Sequence, residues 1–375
     1  MSVVTTRMSA TASLKRRLSE RGEQDDVLSN EKHTRSRRRG RRGWGTAAAL
    51  LVVLVIGLTQ AGNVTLLSVL TMALIYSIAV GSLDLVVGFT GLLSVGQAGL
   101  VGVGAYTVAL LEAKYALPMV LALLVAGLVA VLFGGVLGLC ALRLKGHYFT
   151  LVTLAFGLAV PQLALNASSL TNGDTGVVVD AGTFFGLSTA YPLELFEVVF
   201  IVAAICFLFL ERFLFSTLGR KAMAVRDDEL AAKANGISVY STRLAVFGVS
   251  SFLAGISGGL LAYFVGLVAP SSLPFDLSLF FLAALIVGGS GRYTLCFAGS
   301  VVGAVLLAVL KQATVSNGSL AEVIFGGAVI VAVVLSGRGI WSLVQMLTAV
   351  PSQRGWLRRV RLGKLPTPAT ESGDR

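Results

Sequence analysis

The sequence predicts an all-α, polytopic membrane helix bundle of about ten transmembrane spans, with its N-terminus and C-terminus both cytoplasmic. Three observations predict it. Hydrophobic residues make up 55% of the 375 residues and charged residues only 13%, against about 25% charged in an average soluble domain; the mean hydropathy is +0.84. Apolar runs of the ~20 residues needed to cross a bilayer recur along the chain. The basic residues behind the net charge of +11 sit at the flanks of those runs, as the preference for cationic cytoplasmic loops requires.

In order, the spans are read at 45–62, 64–83, 91–111, 117–141, 147–166, 193–211, 243–267, 276–290, 294–313 and 320–337. The junction of the second and third, GSLDLVVGFTGLLSVGQ (81–97), is studded with glycine and reads as a broken or re-entrant segment. Residues 1–43 form a basic arm with SRRRGRRG at 36–43, expected to be disordered and cytoplasmic; it reads either as touching anionic lipid or as a retention signal for cytoplasmic topology, the latter favoured. Its charged stretch is too long for a secretory leader, and no small-residue cleavage site follows the first apolar run. The transmembrane domain covers 44–340, with a cytoplasmic loop at 212–242 and an external loop at 167–192; 341–375 is a basic cytoplasmic tail.

Counting charges tests this arrangement. With the arm inside, Arg143 and Lys145, the cluster Arg212, Arg220, Lys221, Arg226 and Lys233, Arg292, and the tail arginines Arg354, Arg358, Arg359 and Arg361 all fall inside. The external 167–192 holds no Lys or Arg, and only Lys114, beside Glu112, lies on the other side. An odd miscount of spans would break this agreement. The same distribution argues against nucleic acid as a partner. Cys140, Cys206 and Cys296 lie in apolar runs and imply no disulfide framework. With His33 and His147 the only histidines, no metal site is expected, and no converging acid, base or nucleophile suggests a catalytic residue. The glycine-dense stretches 88–106 and 288–304 echo each other in opposite halves of the span list, as in transporters built from two halves.

The loop ERFLFSTLGRKAMAVRDDELAAKANGISVYSTR (211–243) interrupts two long apolar runs. A first helix is expected over about 217–226. Asp227 and Asp228 can cap a second, through ELAAKAN, by accepting backbone N–H bonds. Glu229 and Lys233 are four apart in the favourable order, and Gly236 suits the left-handed residue just past a helix end. Leu230 and Ala234 are expected to share an apolar face, followed by Ile237. So short a helix is marginal alone and reads either as a solvated topological loop or as an element that docks on a partner.

Within the spans, Asp84 reads either as lining a path or as an interfacial residue at the cytoplasmic end of the second span, the latter favoured; a charge at bilayer depth costs about 3 kcal/mol or more. Gln97 and Ser94 fall in the broken segment, where unpaired backbone can bind a solute or the side chains can bond neighbouring helices. Tyr106 reads as an interfacial anchor or a solute contact, and Gly91 with its neighbouring glycines as packing. Gly288, Gly289 and Gly291 are read as permitting close packing or a turn.

Four stretches carry a family resemblance. The pattern E-x-A-A-x-x-x-G, at Glu229, Ala231, Ala232 and Gly236, resembles the cytoplasmic loop of ABC importer permeases. LDLVVGFTGLLSVGQAGLVGVGAYTVALL (83–111) resembles the glycine-rich signature of branched-chain amino acid permeases. LRLKGHYFTLVTLAFG (142–157) with LTNGDTGV (170–177), and LIVGGSGRYTLCFAGSVVGAVLL (285–307), are similar to that family's central and late motifs. The order and spacing match over about 64–340. The resemblance implies an inner-membrane importer subunit for branched-chain or related amino acids, with Asp228, Glu229, Ala231, Ala232 and Gly236 coupling it to a motor. The implied partners are a second, homologous permease, two ATPase subunits and an extracytoplasmic solute-binding protein. ATP and Mg would sit on the ATPases, with no cofactor on this chain, which contains no G-x-x-x-x-G-K-[ST] phosphate loop. Urea and amide importers share these motifs and stand as the alternative. An ATPase-independent channel or secondary carrier, and an integral-membrane enzyme, are the competing classes.

Overall fold

The computed structural model describes residues 62–289, apart from 116, 144–146, 181, 185–186, 273 and 275, together with Leu54, Gly57 and Thr59, which are helical. The spans read at 294–313 and 320–337, most of 45–62, the two basic tails and Gly291 lie outside the described residues.

The chain runs through α1 (Val64–Thr90), α2 (Gln97–Tyr115), α3 (Met119–Ala141), α4 (His147–Asn166) and the single turn α5 (Ser168–Thr171). A 3-10 turn (Gly173–Thr175) leads to β1 (Val177–Val178), β2 (Thr183–Phe184) and β3 (Leu187–Ser188). Then follow α6 (Pro192–Leu214), α7 (Thr217–Asp227), α8 (Glu229–Ala234), α9 (Val239–Val265), β4 (Leu267–Val268), a second 3-10 turn (Pro270–Ser272) and α10 (Asp276–Gly288). Among the described residues, α1, α3, Tyr148–Asn166 of α4, α6 and α9 are long and apolar enough to cross a membrane.

The helical spans agree with the sequence reading closely except at the glycine-rich junction. There α1 does not stop at 83. It continues to Thr90, because in lipid the intrahelical ladder is the most economical way to satisfy backbone polar groups. Gly81 stays helical where α6 crowds it: a Cβ there would meet Phe207 at 3.1 Å and Leu210 at 3.3 Å. The break falls instead at 91–96. Gly91 adopts φ 74° and ends α1 in the left-handed conformation, which glycine reaches without steric cost. Two readings are corrected by this. Asp84 is not at the end of a span but inside α1 and fully buried. The third helix starts at Gln97, not at 91.

α9 is the centre of the bundle and packs on α1, α2 and α3. Its hydroxyls reach α1 backbone one heptad apart: Ser250 Oγ donates to Ser82 O (2.6 Å) and Ser257 Oγ to Ile75 O (2.8 Å). These pairings run in opposite sequence directions, so α1 and α9 are antiparallel. On another side, Gly104 lies against Gly255 and Gly258 against the Val101 carbonyl, while a Cβ on Gly255 would also meet Ala126 O of α3 at 2.6 Å. Small residues let helix backbones touch where lipid supplies no hydrophobic drive for association.

The contacts sort the loops into two ends. One end gathers 88–97, the α3–α4 link and the α7–α8 loop: Tyr240 Oη donates to Leu139 O, and an Arg226 N–H donates to Gly88 O. It holds Arg143, Arg212, Arg220, Lys221, Arg226, Lys233 and Arg243. The other end holds Lys114 alone among described basic residues. There β1 pairs antiparallel with β4, Val177 opposite Val268, and β2 pairs with β3. Thus the described part of 167–192, read as a loop, contains short turns and strand pairs.

Replacing Gly104 or Gly258 by Val should lower stability by about 1–3 kcal/mol or more through overpacking. Gly248→Ala, at a position with nothing within 4 Å, should stay within about 1 kcal/mol of the parent. Thermal unfolding in detergent ranks the three.

Candidate functional site

The surface loop folds as two capped helices. Ser216 caps α7, accepting from Gly219 N (3.2 Å). Asp228 caps α8, its Oδ1 accepting from Leu230 N (2.8 Å) and Ala231 N (3.0 Å). Of the two aspartates read as caps, Asp228 is the one used; Asp227 is the last residue of α7. The other end of α8 closes with paired reverse bonds: Gly236 N–H to Lys233 O and Ile237 N–H to Ala232 O, both 3.0 Å, with Gly236 at φ 74°. This is the Schellman arrangement, and the apolar contact that accompanies it is present, since Ile237 packs with Ala232, Val225 and Val239. Leu230 and Ala234, expected to share a face, are both exposed, whereas Ile237, expected to follow them, packs on the opposite, inward side. Ala232 is the residue turned inward, and Leu230 is 77% exposed.

Glu229 ties this helix to the bundle. Its carboxylate bonds Lys233 Nζ (2.9 Å) and Arg243 (3.3 Å), the latter in the second turn of α9. The Lys233 hydrogen bond, helped by Arg243 and opposed by slight burial, holds the Glu229 carboxyl below its ordinary value of 4.5. Behind α8 a cleft of about 860 Å³ is bounded by Gly91, Leu92, Arg143, Phe149, Glu229 and Arg243, among others. A smaller hollow of about 380 Å³ between α3 and α4 is lined by Leu132, Val136, Phe156 and other apolar side chains with Cys140, and offers a solute no hydrogen-bonding chemistry.

The cleft leads to the break between α1 and α2, where the polar residues read from the sequence converge. Ser94 and Gln97 are buried. The extended strand 91–96 is held by α4: Thr150 Oγ1 donates to Leu93 O (2.9 Å), and Val95 N donates to Thr153 Oγ1 (3.2 Å). Gln97 Nε2 donates to Ser82 Oγ (2.6 Å), and Ala98 N to Ser278 Oγ of α10 (3.0 Å). Gln97 Oε1 has no hydrogen-bond partner among the described residues. Tyr106 is not an interfacial anchor: it lies inside the bundle, its hydroxyl likewise unbonded. Gly288 ends α10, and Gly289 takes φ 90°, consistent with a turn.

Sequence reading missed Ser82, Ser250, Ser278, Arg226 and Arg243. The serines gave no signal, because a hydroxyl inside a span can always bond its own helix, as Ser82 also does to Ala79 O. Arg226 was read only as topological charge on the first loop helix, and Arg243, placed at the start of a span, was given no role.

These features define a helical membrane protein with a rigid, capped element at its basic end and a polar break within its core. The family described as the permease component of branched-chain amino acid transport systems matches residues 65–334. The chain is 32% identical to the high-affinity branched-chain amino acid transport permease LivM of Salmonella typhimurium, over 78% of this chain and 73% of that protein. It is 33% identical to LivM of Escherichia coli, over 72% and 68%. A ribose import permease of Haemophilus influenzae is 26% identical over 52% of this chain and 61% of its own length. No solved structure matches. The chain belongs to the branched-chain amino acid ABC permease family and is a multi-pass protein of the inner membrane.

Asp228→Ala should destabilise α8 by about 1 kcal/mol, read as faster amide exchange at Leu230 and Ala231. Because the Glu229 pKa is lowered on folding, its contribution is present above 4.5 and is lost as pH falls through the lowered value. Protection of amides 229–237 should therefore drop on that acid limb in the parent, and Glu229→Gln should flatten the limb.

Proposed function

We propose that this chain is one permease subunit of an importer carrying branched-chain amino acids into the cell, driven by two separate ATPase subunits that bind ATP and Mg. A second, homologous permease completes the path, and an extracytoplasmic binding protein delivers the solute. The basic end is then cytoplasmic. The observation that carries the coupling reading is Leu230, a large apolar side chain standing free on a helix whose two ends are both fixed. In this reading Leu230 enters an apolar groove of the ATPase. Asp228, Ala231, Ala232 and Gly236 keep the helix rigid, Ala232 and Gly236 by closing it against the bundle. Glu229 passes displacement to Arg243 and so to α9.

The solute path passes the break. Gln97 Oε1 is a buried acceptor free to receive an ammonium group when 91–96 parts from α4. The N-terminus of α2 favours a carboxylate, so a zwitterion is bound at both charges. Gly91 and Ser94 form the moving strand, and Tyr106 and Asp84 flank it along α2 and α1. Gly288 and Gly289, with Gly291, permit α10 to turn beside this region.

Leu230→Asp should abolish co-purification of the ATPase while the chain remains in the membrane. Gly236→Val and Glu229→Ala should leave ATP hydrolysis intact but uncouple it from leucine uptake, measured in proteoliposomes holding all subunits. Uptake by the chain without ATPase, or of urea in place of leucine, would refute the proposal. Gln97→Leu should cut leucine uptake at least about tenfold, the worth of one buried hydrogen bond, with ATPase binding unchanged.

A further inference from the structure

We infer that Arg226 is the joint through which movement of the α7–α8 loop reaches the broken segment 91–96, a positioning residue for transport that rests on the coupling role proposed above. The physical basis is the way α1 ends. Gly91 N–H and Leu92 N–H both turn back to Val86 O. In a continuing helix Leu92 would have bonded Gly88 O. That carbonyl is one of the orphaned acceptors at a helix C-terminus, and in a low-dielectric setting it requires a donor. Arg226 supplies it, from 138 residues further along the chain. A guanidinium also complements the negative end of the α1 dipole.

The same side chain lies against the hinge itself. Arg226 Cγ is 3.4 Å from where a Gly91 Cβ would sit, so the stem of Arg226 rests on the one residue whose left-handed φ turns the chain out of α1. Arg226 belongs to the last turn of α7, two residues before the α8 cap Asp228. Neighbouring Val225 is buried with Ala232 and Val239, which fixes α7 and α8 as one body. A displacement of that body carries Arg226 with it. Beyond Gly91, the strand leads to Leu93 and Val95, each bonded to α4 through one threonine hydroxyl, Thr150 and Thr153, and then to Gln97. Arg226 thus grips the fixed side of the hinge at Gly88 and presses on its turning residue. Glu229 with Arg243 forms a second connection, to α9.

The test uses the accessibility of the strand. Ser94 is buried and the cleft behind α8 borders Gly91–Leu93, so any loosening admits reagent from that side. Cys206, buried in α6 away from the hinge, reports general unfolding. In a Ser94→Cys chain with Cys140 and Cys296 changed to Ser, Arg226→Met should raise maleimide labelling at position 94 about tenfold or more by local opening. Cys206 should stay unreactive, and Arg226→Lys, which keeps a cationic N–H donor, should label closer to the parent than Arg226→Met does. In the assembled importer with Ser94 intact, Arg226→Met should lower leucine carried per ATP hydrolysed about fivefold, within the range seen for residues along a coupling route. Unchanged labelling at 94, or equal labelling of Cys206, overturns the joint. Changed labelling with undiminished leucine per ATP overturns its part in transmission. Leucine uptake without any ATPase refutes the proposed function instead, and the labelling experiment, which needs no ATPase, still decides the joint.

Discussion

Hydrocarbon offers no hydrogen bonds, so every stretch of non-helical backbone inside a membrane protein has to be bonded by protein. The interruption at 91–96 is where this chain meets that constraint, and the surrounding architecture supplies partners to it and to the helix ends and side chain that flank it. α4 contributes Thr150 and Thr153, α10 contributes Ser278, α1 contributes Ser82, and the surface loop contributes Arg226. The partners come from four different elements. The interruption therefore exists only while those elements are assembled, and any change in their relation is felt there first.

α9 makes that assembly possible. Its glycines let α2 and α3 approach to backbone contact, and its serines bond α1 at two levels. A helix in touch with three others through backbone and short polar side chains cannot shift against one without shifting against all. Glu229 joins the surface helix to this shared element through Arg243, and Arg226 joins it to the interruption. The two connections leave the same rigid loop and end on different parts of the core.

Much of this was legible in the sequence because it depends on local chemistry. The capped surface helix followed from Asp228, the Glu229–Lys233 spacing and Gly236, each acting within one turn. The five membrane-length helices among the described residues followed from run length and hydropathy. What failed was register and direction. Leu230 and Ala234 were read as one apolar face and both are exposed, but the inward contact was not foreseen: the tight closure at Gly236 turns Ala232, with Ile237, toward the bundle. α1 was ended at its polar residues, yet Ser82 and Asp84 are accommodated inside the bundle. Contacts such as Ser250 with Ser82 and Arg226 with Gly88 join positions more than a hundred residues apart, and nothing in local spacing announces them.

At the far end, Val177–Val178 and Leu267–Val268 zip the α4–α6 connection to the stretch after α9. Two rungs of antiparallel backbone make a small cross-brace, stiff to separation but tolerant of twist. With that end pinned, α9 becomes a lever of 27 residues, about 40 Å long at 1.5 Å per residue, so a tilt of about 5° swings its opposite tip by roughly 3.5 Å. Modest angular change at the brace is thereby magnified into a displacement comparable to the width of a side chain at the end where the loop helices reside.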